Sequence, residues 1–423
     1  MASAGFQARK RSTRQAAGSA LLLAVCTGVQ AQAGAKPPQA QAWIDVATYS
    51  GMGLTSMGGA GGNPMAAFGS LFGGSGGGGA ANSFGNTQAA SAGRWVDVTL
   101  LARTNPSLGE ATQAVPAGFL PAALKLQAPK DPLRRLPDDD EAVIEPEVER
   151  PRGKLVLYWG CGDTVRAGQP KVLDMASASS ADLARFFVSR RATQRGTHSQ
   201  GGRPVWPSRV DTRPVPAGAL LAGEHAFSGA GVPDGFRFRI AAAQDLMPAL
   251  DLKTRAVGGG VELSWTGAPT ARAYFAAGMA GGANDETVLW TSSELPDTGF
   301  GLTDYQTNTA VDRWLKEKVL LAPTTSRCSV PKGVFIGDGA MLKVIGYGSE
   351  MNMAHPPRPL DPKAAWEPVW TAKVRVKSVA SAMLGMADAG ATETAAEARP
   401  GAATEPREKK PGALDLLRGV LGR

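Results

Sequence analysis

Histidine and cysteine are scarce in this chain: three of each in 423 residues. His198, His225 and His355 share no metal-ligand spacing with one another or with a cysteine, so the sequence offers no zinc site. No Gly-x-Ser-x-Gly elbow occurs in the segments that read as folded, so no familiar serine hydrolase is legible. There is no run of about 18 apolar residues, which excludes a polytopic helical membrane protein. Collagen is excluded because no Gly-X-Y period exists, and a coiled coil because no heptad persists. Charge is missing locally: from Val46 to Ala92 there is no Asp, Glu, Lys or Arg.

Glycine is abundant instead, with 53 residues against 30 prolines. Hydrophobic residues make up 43%, enough for a core, and the length predicts two to three domains.

The N-terminus reads as a signal peptide over residues 1–33. Arg9, Lys10, Arg11 and Arg14 form a basic region, Ser19 to Gly28 an apolar one, and Ala31-Gln32-Ala33 a cleavage pattern. Leu23-Ala24-Val25-Cys26 offers a lipobox alternative, with Val25 where a small residue is expected. Cleavage after Ala33 removes four positive charges and takes the formal charge from +8 to +4. A nucleic-acid partner then loses its electrostatic argument. The expected destination is outside the cytosol: periplasm, cell surface or medium, with no transmembrane span after cleavage. Cleavage also removes Cys26 and leaves Cys161 and Cys328, a candidate disulfide in an oxidising compartment; the alternative is two buried free thiols.

Residues 34–93 read as a Gly-rich flexible linker, with Gly-Gly-Ser-Gly-Gly-Gly-Gly at Gly73 to Gly79. Order is expected from Arg94. A β-rich domain then covers 94–246 and a second β-sandwich domain 247–379. The strand candidates are Trp95 to Leu101, Leu124 to Gln127, Lys154 to Trp159, Ala219 to Phe227 and Phe236 to Ile240. They continue with Val261 to Trp265, Ala271 to Ala276, Val288 to Thr291, Gly333 to Ile336, Met341 to Tyr347 and Thr371 to Val379. Many short strands between turn signals predict a mainly β fold of antiparallel sandwiches. Short helices are expected at Ser180 to Arg190 and Thr309 to Leu320. Residues 380–423 read as a disordered tail, with a short amphipathic helix around Leu414 to Leu421 as an option.

Leu-Ser-Trp at Leu263 to Trp265, Ala-Tyr-Phe at Ala273 to Phe275 and Leu-Trp-Thr-Ser at Leu289 to Ser292 resemble a fibronectin type III or immunoglobulin-like sandwich over about 248–294. The resemblance implies an early-strand Trp in the core beside an aromatic from the next strand. It implies no catalytic residue. Together with the signal peptide and Tyr-Trp-Gly-Cys-Gly at Tyr158 to Gly162, the pattern resembles uncharacterised exported proteins of Gram-negative bacteria.

Two charge blocks remain. Asp138, Asp139, Asp140, Glu141, Glu145, Glu147 and Glu149 lie within twelve residues without EF-hand spacing, as a solvated acidic segment does. Arg185, Arg190, Arg191, Arg195, Arg203, Arg209 and Arg213 fall within 29 residues, together with Trp206. They form a candidate patch for an anionic ligand, or a partner for the acidic segment. Cys161 flanked by Gly160 and Gly162 could be a nucleophile if His198 or His225 folds beside it.

The expectation is therefore an exported cell-envelope protein that binds or scaffolds, without cofactor or metal, its partner an anionic envelope polymer or another envelope protein. The alternatives are a secreted hydrolase with an unfamiliar site, and an envelope assembly component docking through its C-terminal segment.

Overall fold

The computed structural model describes residues 36–51, 82–88, 91–121, 123–130, 153–192, 196–284, 286–336, 339–361 and 364–385. The expected signal peptide, the glycine run at 73–79, the acidic segment at 138–149, Arg195 and the C-terminal segment around Leu414 to Leu421 lie outside them.

Strict alternation makes the longest strands. In β1 (Ala40–Gly51) the even positions Ala42, Ile44 and Val46 enter one apolar core, while Ala47 and Tyr49 enter a second. β17 (Trp370–Met383) repeats this, with Val374 and Val376 on the first side and Val379 on the second. A strand buried on both faces must sit inside a sheet, and both do. β1 pairs with β17 in parallel over twelve register positions, and antiparallel with β2 (Gly93–Ala102) on its other side.

Around this centre the chain adds β3 (Glu110–Ala114), β4 (Leu124–Gln127), β5 (Lys154–Trp159), β6 (Lys171–Asp174) and helix α1 (Ser180–Phe186). Next come β7 (Val205–Trp206), β8 (Gly223–Ser228), β9 (Arg237–Ile240), β10 (Lys253–Val257) and β11 (Gly260–Ser264). They are followed by β12 (Ala273–Gly281), β13 (Glu286–Thr291), helix α2 (Asn308–Lys316), β14 (Arg327–Val330), β15 (Met341–Tyr347) and β16 (Met351–His355). The large sheet runs β6-β5-β13-β12-β15-β17-β1-β2-β7-β4-β3-β8-β9, with β16 also on β17. A small sheet, β10-β11-β14, packs Val261, Leu263, Cys328 and Val330 into the first core.

The protein is thus mainly β, as expected, with two differences in its plan. The sheets are mixed as well as antiparallel, since β5 also runs parallel to β13. The division at 246/247 does not separate the strands either, because β5 and β6 continue the sheet beside β13. Two boundaries also move. Residues 40–51 of the expected linker form a central strand, because period-two apolar residues there outweigh the glycines that follow. Residues 380–383 of the expected tail belong to β17, which extends to Met383.

Both expected helices form, each ending four residues before its expected end. α1 carries a capping box between Ser179 and Asp182. α2 starts at the Thr307 cap and buries Val311 and Trp314, three residues apart, in the second core. Gly333 to Ile336 forms turns rather than a strand. Among the described residues no helix is long and apolar enough to cross a membrane.

Candidate functional site

The second core is apolar under β5, β13 and β12, but under β15, β17, β1 and β2 buried charged side chains stand among its apolar ones. Residues opposite each other across a ladder share a face. The register sets Asp97, Asp45 and Arg375 in one row across β2, β1 and β17. Lys377 is two residues further on β17, and Lys343 lies on β15. All five are nearly inaccessible: Asp45, Asp97 and Lys377 at 1%, Arg375 at 4% and Lys343 at 5%. Charges are this deeply buried only when they are paired or neutralised.

Asp45 and Arg375 are paired. Arg375 Nε and Nη2 donate to Asp45 Oδ1 and Oδ2, both at 2.7 Å. Thr197 adds its backbone N–H at 3.0 Å and its hydroxyl at 2.7 Å to Oδ2. Burial alone would raise the Asp45 pKa, but Arg375 and Thr197 outweigh it and hold it below the ordinary value. Gly196 makes room for this pair, since a Cβ there would lie 1.8 Å from Arg375 Nη2. The guanidinium carbon stands 4.5 Å from the Tyr305 ring centroid.

Asp97 has no guanidinium. Its oxygens accept the Gly85 N–H at 3.0 Å, the Thr87 N–H at 3.3 Å and the Thr87 hydroxyl in a short contact. Burial, with the Asp45 charge adding to it, pushes its pKa up to about 7 against those hydrogen bonds. Lys377 Nζ donates to Thr303 O at 3.1 Å and lies 4.4 Å from the Tyr305 centroid. Burial lowers its pKa to about 8, although Asp304 and Asp45 pull the other way. Lys343 is lowered to about 7, by burial first and by Lys377 second. Burial keeps the Tyr49, Tyr305 and Tyr347 phenols protonated. Two groups here find no hydrogen-bond partner among the described residues, the Tyr305 hydroxyl and Arg375 Nη1. The cluster stores charge and protons but presents no open face.

Residues singled out by sequence are dispersed. Cys161 and Cys328 form a disulfide with Cα atoms 5.2 Å apart, tying the loop after β5 to β14. That removes Cys161 as a thiolate nucleophile. The arginine block does not act as one patch. Trp206 is fully buried against Phe119, so it cannot face a ligand. Arg190 is held by Asp297 at 2.6 Å and Glu317 at 2.8 Å, and Arg213 by Asp211 at 2.6 Å. Arg203 contacts the His198 ring. Arg185, Arg191 and Arg209 are exposed, with Arg185 bonded to Asp182 and Arg191 lying over Phe300.

The histidines do not converge. His198 packs on Trp43, and His355 stacks on Trp370. His225 is buried between Gln113 and the Leu221 carbonyl, and burial lowers its pKa. No group of three metal-ligating side chains occurs among the described residues.

The ionic row escaped sequence reasoning, although a signal was present. Trp43-Ile44-Asp45-Val46 and Trp95-Val96-Asp97-Val98 are near-copies, which is how two matched strands carry matched aspartates. In Lys373-Val374-Arg375-Val376-Lys377 the alternating charges read as a solvent face, whereas Arg375 and Lys377 face a second core. A scan against protein-family models and a search of curated proteins find no match to the chain.

Proposed function

We propose that this chain is an exported cell-envelope protein that binds or scaffolds a partner without transforming it. The observation that carries the reading is the Cys161–Cys328 bridge. Such bridges persist in oxidising compartments, and the basic, apolar and Ala-Gln-Ala pattern of residues 9–33 supports the same destination. The enclosed Asp45–Arg375 row favours a structural part for the charged cluster, which selects the pairing of β17, β1 and β2. The partner is an anionic envelope polymer or another envelope protein, and among the described residues of the arginine block the exposed Arg185, Arg191 and Arg209 are placed to meet it. Within this reading, 248–294 is an immunoglobulin-like or fibronectin type III element. Trp265 supports it by packing 5.5 Å from Tyr274, as the chain passes from the small sheet into the large one.

Cell fractionation of the full-length protein with intact-mass analysis tests the export step. The expected species begins at Gly34 and carries an oxidised Cys161–Cys328 pair. Recovery of the uncleaved, reduced chain in the cytosol would overturn it. Binding to immobilised anionic envelope polysaccharide is expected to weaken at least tenfold, as an order of magnitude, when Arg185, Arg191 and Arg209 are all changed to Glu.

A further inference from the structure

Residues 82–88 are tied to β1 and β2 by side chains. The Tyr49 hydroxyl donates to the Thr87 carbonyl at 2.9 Å, and Asp97 accepts the Gly85 and Thr87 N–H groups at 3.0 and 3.3 Å. These bonds fix Thr87 and set the next side chain, Gln88, against β17. There the Gln88 carbonyl oxygen Oε1 lies 3.5 Å from Lys377 Nζ, and its amide nitrogen Nε2 donates to Asp304 Oδ1 at 3.3 Å. Lys377 Nζ also donates to the Thr303 carbonyl at 3.1 Å, and the Tyr305 and Tyr49 ring centroids stand 4.4 and 5.9 Å from it. An amine, a primary carboxamide and a carboxylate thus meet beside two aromatic rings.

We propose that Lys377 and Gln88 are a modification site, joined by an isopeptide bond with Asp304 as proton carrier. The lone pair of the neutral amine forms an N–C bond to Gln88 Cδ, and the C=O π pair moves onto Oε1. Asp304 takes a proton from Nζ and delivers it to Nε2. The carbonyl then re-forms, the Cδ–Nε2 bond breaks and ammonia leaves with that electron pair. One amine and one carboxamide give one secondary amide and one ammonia, so no oxidant and no further reactant is needed.

Three features favour this reaction. The first is distance. Cδ is one C=O bond, about 1.2 Å, from Oε1. Turning the Gln88 side chain is the motion that brings it to a near-attack contact of about 3–3.5 Å. The second is the state of the amine. Burial, helped by Arg375, lowers its pKa to about 8 against the pull of Asp304, so the nucleophilic neutral form is present near neutrality. The third is the product. A secondary amide carries no charge to desolvate in this closed interior, and its N–H keeps the Thr303 carbonyl as acceptor.

The test is intact-mass analysis and peptide mapping of the whole protein, purified unsubstituted and held at neutral pH. The expected chain is lighter by one ammonia, and digestion releases a branched peptide joining Gln88 to Lys377. That branch should be absent from Lys377→Met and slow to form in Asp304→Asn. Linear peptides with Gln88 and Lys377 both unmodified, deamidation of Gln88 without a branch, or ammonia loss mapped elsewhere would each overturn the proposal. An Asp304→Asn protein that cross-links at the original rate would remove Asp304 from it.

Discussion

Asp45 and Asp97 stand directly opposite each other across the β1–β2 ladder, two buried carboxylates at one register position. Like charges so placed repel. The conflict is settled asymmetrically: Arg375 takes Asp45, and Asp97 is left to hold a proton up to about pH 7.

This asymmetry makes stability depend on pH. The folded Asp97 pKa, about 7, exceeds the 3.8 of an unperturbed aspartate. Its contribution to stability is fully present below pH 3.8 and is lost as pH rises toward 7. Lys343, with a lowered folded value of about 7, acts at higher pH, where its contribution improves from 7 upward. Asp97→Asn should therefore gain stability relative to the unsubstituted protein as pH moves from 4 to 7. Urea unfolding across that window measures the difference, and a constant difference would contradict the assignment.

Arg375→Ala should cost about 3–5 kcal/mol, because it strands the Asp45 carboxylate in a closed interior. Asp45→Ala should cost a similar amount. The double variant should cost less than the two together, by about 1–3 kcal/mol. Denaturant unfolding of the four proteins gives the coupling, and strict additivity would show the pair to be independent.

Gly196→Ala should destabilise by about 1–3 kcal/mol, the ordinary range for overpacking, through its clash with the Arg375 guanidinium. Arg375→Ala removes the clashing group, so Gly196→Ala in that background should cost little. The same pair of unfolding measurements decides it.

Replacing both Cys161 and Cys328 by Ser should cost about 2–5 kcal/mol under oxidising conditions. The bridge joins residues 167 apart and pins β14 of the small sheet to the loop after β5. Thiol labelling of the denatured, unreduced protein should leave Cys161 and Cys328 unmodified. Labelling of both would refute the pairing.

Much of the sheet was legible because its strands carry local signals. Met341–Tyr347 and Lys154–Trp159 match their expected bounds, since apolar runs between turn residues need little context. β6, β10 and β16 were illegible because they are short or largely exposed, and take their form from a neighbour's ladder. β1 was missed for another reason: its first residues precede a glycine-rich run that drew the whole segment into a linker reading. The ionic row was hidden for a deeper cause. Alternation shows that a strand has two faces, but it does not say whether the polar face meets water or other side chains. Asp297, which holds Arg190, shows the same limit, because nothing local in the sequence links residues 107 apart.

The placement of β1 between β17 and β2 bears on when the molecule can assemble. Asp45 waits for Arg375, 330 residues downstream, and half of the β1 ladder waits with it. A chain emerging from a ribosome carries β1 with its β17 edge open until residues 370–381 have appeared. Assembly of such a distant pairing is slow and exposes the open edge meanwhile. Until then that edge offers unpaired backbone groups to any other strand that meets it.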